Sequence, residues 1–185
     1  MPPLLDDLLR HAPADDLESR HREALLALMT TSSDPFSRDS FVPGHVTASC
    51  FIVDPATGRL LLHHHRRLGR WLQMGGHLDA NEAPRDAARR EGEEESGLGD
   101  LRLTGDIVDL DVHAIPAGRG EPEHLHFDVR YVAATEQPEA IRLVRAESND
   151  LAWFELREAE PRMNEAASAR VIRKIERLLK EGALS

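Results

Sequence analysis

Apolar residues recur along this chain with two periods, and the change between them divides it. Over residues 3–30 the spacing is helical. Leu4, Leu5, Leu8 and Leu9 form one stripe, Leu25, Leu26, Leu28 and Met29 a second, and Pro13 separates them. The stretch 30–44, TTSSDPFSRDSFVPG, is rich in turn formers and reads as a linker. A helical leader of about 30 residues cannot enclose a core of its own. Residues 1–43 are therefore expected to be a helical extension and linker packed on a main domain at 44–185. From Gly44 the period becomes two. Val46, Ala48, Cys50 and Ile52 alternate with Thr47, Ser49 and Phe51, which predicts a strand over 45–53. Pro55 to Gly58 form a turn, and Leu60 to Leu62 start a second strand that runs into His63, His64 and His65. A glycine-rich loop and a helix are expected over about 75–96, and a further strand within 101–113. Residues 124–133 put Leu125, Phe127, Val129 and Tyr131 on one face and His124, His126, Asp128 and Arg130 on the other. A short strand over 151–154 and a closing helix over 164–181 complete the order. Asn164 would cap that helix, and Gly182 would stop it. The economical fold is α/β, a mixed sheet with helices on both faces.

Composition narrows the function classes. The 185 residues carry 23 Lys plus Arg against 33 Asp plus Glu, a formal charge of -10, which argues against a nucleic-acid polymer or an anionic membrane as partner. A small phosphorylated substrate stays compatible if a bound cation offsets its charge. The single cysteine, Cys50, cannot form an internal disulfide, and no apolar run reaches the roughly 18–20 residues of a spanning helix. The N-terminal MPPLLDDLLR is acidic where a secretory signal would be basic. A cytoplasmic protein is the expectation.

The most informative chemistry lies in the segment from Gly75 to Leu98. Asn81 is placed to cap a helix, Pro84 to occupy its first turn and Gly97 to end it. On that helix Glu91, Glu94 and Glu95 fall within an arc of roughly 100°. Clustered carboxylates repel one another, by on the order of a kcal/mol or more per pair in a partly dry site, unless a cation sits among them. Oxygen ligands suit Mg²⁺, with Mn²⁺ as a substitute. The chemistry that follows is metal-assisted attack of water on a phosphate chain. A glutamate run also fits a solvated acidic helix. The glycine pair before it and Gly97 behind it favour a shaped loop beside the acids.

The spacing Gly76, Glu82, Arg90-Glu91, Glu94-Glu95, Gly97-Leu98 resembles the box of the Nudix hydrolases. It departs in having Gly92 where the family usually carries a bulky aliphatic residue, and Met74 precedes the glycines where many members have proline. Gly92 is thus expected to weaken the apolar anchor of the helix. The resemblance extends to the order of elements over about 44–182 and implies a Nudix-type α/β/α sandwich with an N-terminal helical extension. It implies that Glu91, Glu94 and Glu95, with the carbonyl of Gly75 or Gly76, hold catalytic divalent cations. Glu82 and Arg90 would be structural, the arginine orienting loop and carboxylates. Water would attack one phosphorus of a nucleoside diphosphate derivative, such as a nucleotide or nucleotide sugar. The base would be Glu94 or a later-loop acid, for which Glu147 is the candidate.

The remaining candidates are substrate contacts. Arg66 and Arg70 precede the glycine loop and suit phosphates. His124 and His126 share a face, and His113 joins them if 107–113 pairs antiparallel with 124–131. Such a group suits substrate phosphates or a zinc-like site, and equally an ordinary polar sheet face. Trp71 and Phe51 suit either base stacking or core. Two other classes compete. A non-catalytic nucleotide sensor shares the fold but has no need of all three box glutamates. An isopentenyl diphosphate isomerase needs a catalytic cysteine, and Cys50 within TASCFIV does not resemble one. The leucine stripes of the leader also suit a homodimer interface.

Overall fold

The computed structural model describes residues 3–118, 120–144, 148–164 and 166–184. Helices α1 (Pro3–Arg10) and α2 (Asp16–Thr31) lead, and α2 starts at Asp15, whose side chain accepts the Glu18 amide at 2.8 Å. Eight strands follow: β1 (Gly44–Asp54), β2 (Arg59–His65), β3 (Arg70–Leu72), β4 (Met74–His77), β5 (Arg102–Leu103), β6 (Asp109–Ile115), β7 (His124–Ala134) and β8 (Ser148–Glu155). Helix α3 (Pro84–Ser96) lies between β4 and β5, and α4 (Leu156–Met163) and α5 (Ser168–Lys180) close the chain.

The sheet is mixed and built around β1. That strand runs parallel to β7, from Gly44 opposite Leu125 to Val53 opposite Ala134. At one end it pairs antiparallel with β2, Ile52 opposite Leu61, and at the other with β4, Thr47 opposite His77. β2 also carries β3 and β8, while β5 and β6 flank β7. Every residue of β1 is buried, as expected for a central strand covered on both faces. On one face Val46, Ala48, Cys50 and Ile52 pack with Phe127, Val129 and Tyr131 against Ala87 and Ala88 of α3. Leu4, Leu8, Leu25 and Leu28 from α1 and α2 join that same cluster. On the other face Phe51, Val53, Leu60 and Val132 meet Leu156, Met163, Val171 and Ile175 of α4 and α5. Helices therefore cover both faces of a mixed sheet, the α/β/α arrangement. Among the described residues no helix is long and apolar enough to cross a membrane.

Several local expectations need correction. Asn81 does not cap α3. It sits in the left-handed region at φ 65 in the preceding turn, and the helix begins at Pro84 after Ala83, with no side-chain cap. The Asp79 amide in this turn goes to the Glu82 carboxylate at 2.8 Å, so the acid closes the loop in place of a cap. Met74–His77 is a strand where a loop was expected, because two glycines let it pair closely with β1. The closing helix is present as α5 but starts later than expected, and a further short helix, α4, precedes it over Leu156–Met163. Asn164 ends α4 in the left-handed conformation (φ 50), while α5 starts at Ser168 without a side-chain cap. The spacing Leu156, Ala159, Met163 already marks the buried stripe of α4.

Candidate active site

Helix α3 sits low on the sheet because its facing residues are small. A Cβ at Gly92 would lie 3.0 Å from Leu101 Cδ1 and 3.1 Å from Cys50 Sγ. Leu101 and Cys50 thus fill the space that a bulky residue at 92 would take, and the helix is not left without an anchor. Cys50 is fully buried there, and burial pushes its thiol up, away from any nucleophilic role. The helix ends at Gly97, whose left-handed φ of 74 lets its amide reach Glu93 O at 2.9 Å.

This placement brings the acids of α3 over β4. A Cβ at Gly76 would lie 2.7 Å from a Glu91 carboxylate oxygen, so only glycine lets that carboxylate lie against the strand. Glu95 is buried and accepts the Gly75 amide at 2.9 Å. Its other oxygen stands 3.7 Å from His63 Nδ1, which is also 2.7 Å from Ser148 Oγ. Glu94 projects outward with its side chain 61% exposed.

Arg90 binds this region into one unit. Its guanidinium donates to Glu82 through Nε and Nη2, both at 2.9 Å, to the His77 carbonyl at 3.0 Å and to Glu91 at 2.8 Å. A longer 3.4 Å contact reaches Glu94. Hydrogen bonding from Arg90 holds Glu82 below the usual carboxylate range. The charge that relieves the repulsion between Glu91 and Glu94 therefore comes in part from Arg90. The carboxylates against Gly75 and Gly76 are those of Glu95 and Glu91, with Glu94 on the exposed side of the same helix, so the acids of α3 offer oxygen alone. This donor set fits the hard divalent cation that such a box implies.

The sheet face away from α3 is polar and largely buried. Thr47 and Ser49 of β1 donate to Asp128 of β7, at 3.2 Å from Thr47 and 2.9 Å from Ser49. Arg130 pairs with Asp128 at 2.8 Å and Asp111 at 3.1 Å. Asp109 accepts from Arg170 at 2.8 and 3.0 Å and from Lys174 at 2.8 Å, which ties α5 to β6. Glu18 of α2 also pairs with Lys174. Sequence alternation marked the polar positions of β7 but not that this face would be buried and paired.

His45, His77, His113, His124 and His126 gather on the same face. His126 stands opposite His45 in the β1–β7 register, and His113 stands opposite His126. Among the described residues, His45, His77 and His126 form a group whose candidate ligand atoms all lie within 4.8 Å of one another. Burial, followed by the neighbouring histidines, pulls His77 down to about 4 and His126 to about 2. His124 stacks on His45 with centroids 5.1 Å apart, and its Nδ1 donates to the Pro122 carbonyl at 2.8 Å. Sequence reasoning did not single out His45. Its place two residues before Thr47, on the polar side of β1, was the available signal.

The other expected residues are spread. Arg66 is exposed in the β2–β3 turn, and Arg70 stands opposite His65. Phe51 is core, with Arg130 over its ring at 5.9 Å. Trp71 packs edge-on against Phe154 at 4.9 Å. Glu147 lies outside the described residues.

The glycine-backed acidic helix and its arginine clamp sit on an α/β/α fold, and both belong to a recognised protein family. The NUDIX domain model matches residues 43–175, so the chain belongs to the NUDIX family. A "Probable DHNTP pyrophosphohydrolase" of Lactococcus lactis subsp. cremoris is 37% identical over 71 residues, which is 37% of this chain and 42% of that relative. The chain thus matches less than half the length of this curated relative. A C. elegans Ap4A hydrolase superposes with a TM-score of 0.61 at 22% identity, over 74% of this chain and 98% of its own. A NUDIX family hydrolase from Clostridium perfringens superposes with a TM-score of 0.56 at 28% identity, over 72% of this chain and 97% of its own.

Proposed function

We propose that this protein is a Mg²⁺-dependent hydrolase that cleaves a diphosphate bond in a nucleoside diphosphate derivative, with Mn²⁺ able to substitute. The observation that carries this reading is the clamp in which Arg90 joins Glu82, the His77 carbonyl and Glu91 beside the Gly75–Gly76 strand. A clamp of this kind keeps acids oriented without a ligand present, the preorganisation that metal-assisted hydrolysis requires. Relatives named as a pyrophosphohydrolase and an Ap4A hydrolase support the same reaction class.

In this reading Glu91, Glu94 and Glu95, with the Gly76 carbonyl, hold the cation. When bound, the ion supplies charge neutralisation at the leaving phosphate and a more acidic water. Arg90 and Glu82 hold the acids in place. Glu147 takes the proton from the attacking water, with Glu94 as the alternative base. Arg66 and Arg70 contact the phosphates on the β2–β3 side.

The test is release of phosphate and pyrophosphate from a panel of nucleoside di- and triphosphates, nucleotide sugars and dinucleoside polyphosphates, with and without Mg²⁺. Turnover of one compound class, lost by orders of magnitude in Glu94→Gln and Glu95→Gln, is the expected result. A flat panel with tight metal-dependent nucleotide binding would replace the hydrolase with a sensor.

A further inference from the structure

We propose that His45, His77 and His126 form a second cation site that takes a borderline-soft divalent ion of the zinc class. The three residues come from three strands hydrogen-bonded to one another, so their backbones are fixed by the sheet. His45 of β1 is opposite His126 of β7, and His77 of β4 is opposite Thr47, two positions along from His45. Side chains alternate across a strand, so His77 points away from the face where Gly76 meets Glu91. The histidine group and the α3 acids therefore belong to opposite faces of the same sheet.

Two observations beyond proximity point to a cation. His45 Nδ1 lies 3.1 Å from the Ser40 carbonyl, which can only accept, so this nitrogen carries the hydrogen. Nε2 is then left with a lone pair. That atom is buried and has no hydrogen-bond partner among the described residues. A buried acceptor without a donor is costly, and a cation at this point removes the cost. The hydrogen bond on the far nitrogen is also the arrangement that orients histidine ligands in metal sites.

The same tautomer argues against a phosphate. An anion placed among these rings would face the lone pair of His45, and burial of the cluster disfavours the protonated form that would turn it into a donor. The surroundings shield the group on one side. Phe41 stands edge-on to His124 at 5.1 Å and to His45 at 6.4 Å, and His124 stacks on His45.

Donor chemistry separates the two sites. Three imidazole nitrogens suit Zn²⁺, Co²⁺ or Ni²⁺, whereas the acids of α3 offer oxygen alone. A tetrahedral site with bonds of about 2.0–2.1 Å needs nitrogens about 3.4 Å apart. From a group within 4.8 Å, rotations that move the ring atoms by about an ångström suffice. Three protein ligands leave the fourth position open to water. The proposal stands whether or not the protein hydrolyses a diphosphate.

The experiment is a Co²⁺ titration of the metal-free full chain, followed by visible absorption, with Zn²⁺ as competitor. One equivalent is expected to give the intense spectrum of tetrahedral cobalt, and Zn²⁺ to abolish it. His77→Ala and His126→Ala should each weaken binding by about 100-fold or more, while the double substitution Glu91→Gln and Glu94→Gln leaves it unchanged. Circular dichroism checks that the variants are folded. X-ray absorption of the zinc form of the unaltered protein reads the nitrogen ligands without any variant. A weak octahedral spectrum, an all-oxygen ligand shell, or binding lost only in the glutamate variant would overturn the proposal.

Discussion

Replacing Arg90 by lysine keeps one positive charge and removes the fork, so it isolates what the clamp geometry contributes. In the structure the guanidinium makes four short contacts, at 2.9 and 2.9 Å to Glu82, 3.0 Å to His77 O and 2.8 Å to Glu91. The 3.4 Å approach to Glu94 is set aside, because that side chain is mostly exposed and such pairs contribute little. An ammonium carries three donors at one point and cannot span Glu82, Glu91 and the carbonyl together. About two of the four contacts are lost. With charge-assisted hydrogen bonds worth about 1.5–3 kcal/mol and the Arg90 side chain partly solvated, the expected loss is about 2–4 kcal/mol. Guanidinium denaturation reads this as a lower midpoint with an unchanged slope. Activity should fall by about 10–100-fold as the box acids lose their orientation. A cycle with Glu82→Gln should show a coupling of about 1 kcal/mol or more between the two residues. If Arg90→Lys lies within about 0.5 kcal/mol of the unaltered protein, the clamp does not hold the loop and the reasoning fails.

Two further outcomes follow from the packing and the buried histidines. Gly92→Leu, which restores the residue type usual in the family, should destabilise by about 1–3 kcal/mol or more, because its first carbon already meets Leu101 and Cys50. Thermal unfolding that matches the unaltered protein would show that the gap between α3 and β1 is not tight. His63 and His77 are held at about 4 against an ordinary 6.5, by burial first and neighbouring histidines second. The unfolded chain therefore takes up these protons before the folded one does. Stability is complete above pH 6.5 and declines as the pH falls toward 4, by up to about 1.4 kcal/mol per pH unit for each ring. His113 works in the opposite direction. Burial lowers it, but the hydrogen bond to Asp111 and the charges of Asp128 and Asp111 raise it on balance. A urea midpoint that stays flat between pH 6.5 and pH 4 would contradict the assignment.

The box was legible in the sequence because its chemistry is local. Glu82, Arg90, Glu91, Glu94 and Glu95 are brought together by one turn and one helix, and helical spacing alone places three of the acids on one side. The alternation of β1 and β7 was equally readable, since a buried face imposes period two on any strand. Gly97 ends α3 as expected, but the asparagine N-caps were not readable. Asn81 and Asn164 are both cap-forming residues close to helix ends, yet both occupy left-handed turns. Whether a side chain caps or turns depends on where the chain must go next. The extra helix α4 was not read from the sequence for the same reason, since both α4 and α5 are placed by the one apolar face that holds Phe51 and Val132.

The sequence by itself determined the period of each element, the acid triplet of α3 and the excess of negative charge. All of these depend on neighbours a few residues apart. Only the tertiary structure decided which distant residues meet. It placed Leu101 and Cys50 in the space left by Gly92, and it set His45, His77 and His126 within 4.8 Å of one another from three strands. It also buried Asp109 against Arg170 and Lys174, far along the chain. Strand order and register fix such contacts. They follow from how every apolar face is covered at once, and no local window of sequence contains that information.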